Sequence, residues 1–292
     1  MKLRRIAIVL ALIALVGWGG IAYEAYRLAL PDRRPVAPRP ADLSARDIEF
    51  TSHGVTVRGW FVRADQPRGV ILLMHGIHAN RSQMIDRARF LRRAGYSSLL
   101  YDSRAHGESG GTAITFGHLE SDDARAALAL ARSFEPGKPA GVIAVSLGGA
   151  AALLADPPLD VRAIIAESVY PDIDGAISNR VRNAVGCCGP LGAPLLLAMF
   201  RPRLGFSASE LRPIEHVKKL TTPKFFLFGT DDHDTTLRES VEMFDAAAEP
   251  KRMWAVEGAR HVDLHGFARK RYEQCVLDFL DRYVGSILAT NR

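Results

Sequence analysis

Cysteine is nearly missing from this chain, with three among 292 residues: Cys187 and Cys188 are adjacent and Cys275 lies far off. That scarcity excludes a disulfide framework and a spaced thiolate metal site, and leaves open a bridge from Cys187 or Cys188 to Cys275 in an oxidising compartment. A distributed charge excess is also lacking. The formal net charge is +6, but the first 40 residues carry a balance of +5 and leave about +1 for the rest. A basic face for a nucleic-acid partner is thereby excluded. Hydrophobic residues make up 48% and charged residues 24% of the chain, enough apolar content for one buried α/β core of about 250 residues with appendages.

Long apolar runs are absent except for one. Lys2, Arg4 and Arg5 precede an uncharged stretch from Ile6 to Tyr23. Roughly 18 residues rising about 1.5 Å each span some 27 Å, close to a hydrocarbon core of ~30 Å. The expectation is a single-pass N-terminal anchor over residues 1–30, with the membrane as partner and the catalytic domain on the extracytoplasmic side. Gly20-Ile21-Ala22 offers a cleavage site for the competing signal-peptide reading. Residues 31–45 are rich in proline and arginine, which favours an extended, semi-rigid spacer between anchor and domain.

Past residue 46, Asp47–Thr51 and Val55–Val62 alternate apolar and polar residues around Ser52-His53-Gly54, the pattern of an antiparallel hairpin. Short apolar runs follow at 69–74, 97–101, 140–145, 161–166 and 224–228, as strands buried on both faces require. Helical stretches at 82–94, 120–133 and 147–154 separate them. This alternation predicts a mainly parallel, doubly wound sheet with helices on both faces. Residues 169–220 break the rhythm with five prolines between 171 and 213 and an apolar patch at 191–200, which reads as a cap insertion or as ordinary helices covering the core.

The run Gly141-Val142-Ile143-Ala144-Val145-Ser146-Leu147-Gly148-Gly149-Ala150 breaks from apolar strand to helix at a serine. A serine hydroxyl becomes a nucleophile when a tight turn exposes Oγ to a histidine base and aims a backbone N–H at the developing oxyanion. A structural serine in a Gly-rich turn would look the same, so other loops must decide. His75-Gly76-Ile77-His78-Ala79-Asn80 follows a strand and offers the Ile77 N–H, which with that of Leu147 would form a two-donor oxyanion hole. The histidines of this loop read as stabilising it rather than as bases. Gly229-Thr230-Asp231-Asp232-His233-Asp234 supplies an acid, and the loop from Glu257 supplies His261, with His265 on the helix behind it. The order serine, acid, histidine suits a triad.

On these residues the chain resembles the α/β-hydrolase superfamily, specifically its single-domain serine hydrolases with an N-terminal membrane segment, over roughly residues 46–286. Asp102-Ser103-Arg104-Ala105-His106-Gly107-Glu108-Ser109 is similar to that family's Asp-x-Arg-Gly-x-Gly-x-Ser loop, with Ala105 for one glycine, and the resemblance implies a structural role for it. The family spacing Gly-x-x-Asp selects Asp232 over Asp231 and Asp234. The resemblance implies an α/β-hydrolase domain over 46–290 that works as a serine hydrolase, and the apolar patch at 191–200 together with the anchor suggests acyl esters, including lipid-like ones, as substrates. In that domain Ser146 is the nucleophile, His261 the base, Asp232 the orienting acid, and the Ile77 and Leu147 amides hold the oxyanion. No cofactor or metal is implied. The same triad acting on peptides is the alternative within the fold.

Two readings outside this one remain at the level of sequence. Asp231, Asp232, His233, Asp234, His261 and His265 could ligate a metal, since histidines four apart share a helix face. The fold could also serve as a non-catalytic binding protein. Nothing in the sequence points to an oligomeric state.

Overall fold

The computed structural model describes residues 26–185, 189–198 and 200–285, together with 4–6, 8, 9, 17, 19, 20 and 23. Two strands, β1 (Arg46–Ser52) and β2 (Val55–Val62), open the sheet as an antiparallel hairpin. His53 and Gly54 turn it with φ of 47° and 72°, the left-handed pair that matches the twist of a two-residue hairpin. The sheet continues through β3 (Gly69–Met74), β4 (Tyr96–Tyr101), β5 (Ala140–Val145), β6 (Ala163–Glu167), β7 (Lys224–Gly229) and β8 (Lys251–Val256). The strand order is β1-β2-β4-β3-β5-β6-β7-β8, parallel from β4 onward.

Side-chain alternation along the central strands divides the core in two. Val70, Leu72 and Met74 of β3 point into one apolar cluster, and Ile71 and Leu73 into the other. Each such side chain taken out of water contributes about 1.5–3 kcal/mol, so both faces must be covered by helices. The coverings are α1 (Ile85–Arg93), α2 (Glu120–Phe134) and α3 (Leu147–Leu154), with α8 (Leu237–Ala246), α9 (Leu264–Phe267) and α10 (Arg269–Leu280) later in the chain. Every residue of α3 is buried, which accounts for its Gly/Ala/Leu composition.

Between β6 and β7 the chain forms α4 (Ile173–Val185), α5 (Gly189–Ala198), α6 (Phe200–Leu204) and α7 (Pro213–Val217). Phe200 stacks on Phe116 at 5.2 Å, and the Tyr170 hydroxyl donates to Phe116 O, so this insertion is fastened to the main domain. Cys275 is a free, buried thiol. Cys187 and Cys188 lie outside the described residues.

The expected single-pass anchor is corrected. Among the described residues no helix is long and apolar enough to cross a membrane. Spanning requires about 20 continuous apolar residues in one helix. Of the stretch 6–23, residues 7, 10–16, 18, 21 and 22 lie outside the description. The membrane partner and the extracytoplasmic placement rested on that anchor and lose their support with it. The proline-rich segment that follows is extended, and it lies on the domain: Ala29 is buried in the core, and Asp32 bridges to His106 as a parallel strand pair.

Candidate active site

The sheet changes direction of winding between β3 and β5, since β4 lies on one side of β3 and β5 on the other. A crevice opens at such a point beyond the carboxyl ends of the strands. The two loops singled out in the sequence, after β3 and after β5, flank it.

Ser146 sits between β5 and α3 with φ 47° and ψ −109°, a conformation that costs a non-glycine residue on the order of 1–3 kcal/mol. Hydrogen bonds on both sides hold it: the Ser146 N–H donates to Glu167 O (2.8 Å), and Ser146 O accepts from the Ala150 N–H (2.9 Å). The glycines beyond it are there for space. A Cβ on Gly148 would stand 2.7 Å from His75 O, and one on Gly149 would stand 2.2 Å from Val169 Cγ2. Ala144, where the resemblance calls for glycine, is fully buried in the core and fits.

Across the crevice, Gly76 packs against the elbow: a Cβ there would lie 3.6 Å from Ser146 Cβ. The Gly76 N–H donates to Gln83 Oε1 (2.9 Å), and His75 Nδ1 contacts Gly76 O (2.7 Å). His75 Nε2 accepts from the Ser103 N–H (2.9 Å), so the ring is used up in joining two loops. Burial, with His106 beside it, pulls the His75 imidazole down to about 3, and it stays neutral. Neither the Ile77 nor the Leu147 N–H has a protein acceptor among the described residues. Both remain available as donors.

Asp232 is buried after β7. Its Oδ1 accepts from the Asp234 N–H (2.9 Å) and the Thr235 N–H (2.8 Å), while Oδ2 meets His261 Nδ1 at 2.8 Å. His261 Nε2 is left without a protein partner among the described residues. Among the described residues no hydrogen bond joins Ser146 Oγ to His261; the Thr235 hydroxyl donates to Ser168 O (3.4 Å) and ties the Asp232 loop to the end of β6. Asp234 turns away to Asn183 of α4 (2.9 Å), which also donates to His233 O (3.1 Å). His265 is buried against Phe90 and contacts Glu273 (3.1 Å). The acids and histidines that suggested a metal are thus dispersed, and among the described residues no group of three could hold one. Asp102 accepts from the Arg81 and Glu108 N–H groups (2.7 and 2.9 Å) and from the Arg81 guanidinium, the structural use implied for its loop.

One cluster was missed at the level of sequence. Arg87 of α1 is fully buried and paired with Glu167 (2.6 Å) and Asp263 (2.7 Å), and the Tyr272 hydroxyl donates to Glu167. Burial opposes the Arg87 charge, but Glu167, Tyr272 and Asp263 together outweigh it and hold the guanidinium well above its usual range. Glu167 carries the carbonyl that grips Ser146, and Asp263 lies two residues past His261. A charge ending the apolar run Ala163–Ala166 was the available signal.

The mostly parallel eight-stranded sheet, the serine at its central strand-to-helix turn and the acid–histidine pair on later strand-end loops define the α/β-hydrolase fold. Comparison with known proteins agrees. The serine aminopeptidase family S33 matches residues 65–180. The Bacillus subtilis protein YqkD is 24% identical over 237 residues, covering 79% of this chain and 77% of its own length. The Pyrococcus furiosus esterase Pf2001 superposes with a TM-score of 0.72 at 23% identity, covering 87% of this chain and 99% of that one. The alpha/beta hydrolase GrgF from Penicillium sp. sh18 gives 0.65 at 22%, covering 84% and 100%.

Proposed function

We propose that the protein is a serine hydrolase that cleaves carboxylic esters through an acyl-enzyme on Ser146. The observation that carries this reading is the Asp232–His261 hydrogen bond, which engages Nδ1 and leaves Nε2 for proton transfer. His261 Nε2 takes the Ser146 hydroxyl proton as Oγ attacks the ester carbon. The resulting oxyanion accepts from the Ile77 and Leu147 N–H groups, each worth about 3 kcal/mol in the transition state. Collapse expels the alkoxide, which takes the proton from His261. Water then gives a proton to His261, attacks the acyl-enzyme and restores Ser146. Asp232 orients the imidazole and stabilises its charged form without itself taking a proton.

Ester over amide is supported by the likeness to the esterase Pf2001. Val262, next to His261 in the chain, is exposed and adds apolar surface there. Amide cleavage has its own support in the match to the serine aminopeptidase family. A chain-length series of p-nitrophenyl esters beside aminoacyl p-nitroanilides separates the two. The expected result is faster ester turnover, lost by several orders of magnitude in Ser146→Ala. Preferential anilide cleavage would overturn the ester assignment.

A further inference from the structure

His78 follows the Ile77 donor and holds φ at 58°, in the left-handed region that a non-glycine residue enters at a cost. The Ile77 N–H belongs to the peptide joining residues 76 and 77, one residue back from His78, so whatever secures His78 holds the chain immediately after the donor and limits how far the donor can shift. The securing group comes from far away in sequence: Asp32 Oδ2 lies 2.8 Å from His78 Nδ1. Asp32 is in turn fixed through its backbone, donating to Ala105 O (2.7 Å) and accepting from the Gly107 N–H (3.0 Å). Burial raises its carboxyl, and the His78 hydrogen bond and the Arg34 charge together bring it below its usual value.

The neighbouring residues hold the same loop. Asn80 Nδ2 donates to Arg34 O (3.3 Å) and Pro35 O (3.1 Å), while its Oδ1 caps the following turn by accepting from the Ser82 N–H (2.9 Å). Ser82 Oγ accepts from the Ala37 N–H (2.8 Å). At the other end Ala29 O accepts from the Ile114 N–H (3.0 Å), and the Arg203 guanidinium of α6 stands 4.0 Å over the Tyr26 ring. Residues 29–37 therefore run from the Ile114 loop to the oxyanion loop and are bonded to the domain along their length, with Tyr26 just before them meeting the insertion.

We propose that residues 29–37 are a strap that sets the oxyanion loop, with Asp32 as the positioning residue acting through His78. This rests on the serine-hydrolase reading for its catalytic consequence, whereas the strap's hold on the loop is independent of it. The test uses the full chain with Asp32→Ala, Asp32→Asn and His78→Gly, read by p-nitrophenyl butyrate kinetics and by backbone hydrogen exchange of residues 75–84.

In Asp32→Ala, kcat should fall about tenfold with KM within about twofold, short of the roughly 10²–10³ that outright loss of an oxyanion donor costs. Exchange over 75–84 should quicken. Asp32→Asn keeps an acceptor for His78 Nδ1 and should recover most of kcat. In a His78→Gly background, Asp32→Ala should change kcat by less than about twofold, because the coupled contact is already gone. An equal loss in both backgrounds, or wild-type kcat in Asp32→Ala, would overturn the positioning role. A wild type that turns over no ester contradicts the ester-hydrolase reading instead. The strap then stands on faster exchange in Asp32→Ala and falls on unchanged exchange.

Discussion

Ser146 combines a strained backbone with tight surroundings, and both make predictions at the scale of single residues. A Cβ on Gly149 would lie 2.2 Å from Val169 Cγ2. Gly149→Ala should therefore destabilise by about 1–3 kcal/mol in urea unfolding, and Val169→Ala in the same chain should restore most of that loss. His75 makes a second prediction. Its folded pKa of about 3, set by burial and by His106, lies below the usual 6.5. Between those values the unfolded chain binds a proton that the folded chain does not. Stability from this residue is present above pH 6.5 and is lost as pH falls toward 3, by up to about 1.4 kcal/mol per unit. Unfolding free energies of wild type and His75→Gln across that range should show the flatter acid limb in the variant. These residues were legible in sequence because their chemistry is local. The elbow needs small residues beside a serine, and the order serine, acid, histidine can be read along the chain. The choice among Asp231, Asp232 and Asp234 required the resemblance, and the geometry gives a physical reason for it: Asp232 faces His261, while Asp234 faces α4.

Elements meet around Arg87, which ties α1 to the end of β6 and to the histidine loop. Removing one partner of a buried ion pair leaves the other uncompensated. Arg87→Ala should cost about 3–5 kcal/mol in unfolding free energy, measured by denaturant titration. Asp263 is the half-exposed member of this cluster and also caps α9 by accepting from the Gly266 N–H (3.2 Å). Asp263→Asn keeps the cap and should shift stability by less than about 1 kcal/mol. Its effect should fall on kcat with KM little changed, since the His261 loop loses its charged tether. No local pattern encodes this cluster, because Arg87 and Glu167 stand 80 positions apart. The edge strand β8 was hidden for a different reason. Lys251 and Arg252 open it and leave only Met253–Val256 apolar, and an edge strand with one solvated face does not read as a buried run.

For the whole molecule, the central strands and their helices were legible from apolar runs alone, since a sheet covered on both faces demands them. The N-terminal region was not. The apolarity of residues 6–23 suggested an anchor, and the prolines after it suggested a spacer. What fixes residues 29–37 is a set of pairings with residues 78, 80, 82, 105 and 107, invisible to any window on the sequence. The proposed chemistry depends most on Ser146 being a nucleophile activated by His261 and Asp232. The most direct measurement is the reaction of the purified chain with a fluorophosphonate, followed by mass spectrometry of the peptides. The predicted result is a single adduct on Ser146 in the wild type, absent in Ser146→Ala and strongly slowed in His261→Ala. An unreacted wild type, or an adduct on another residue that persists in Ser146→Ala, would contradict the account.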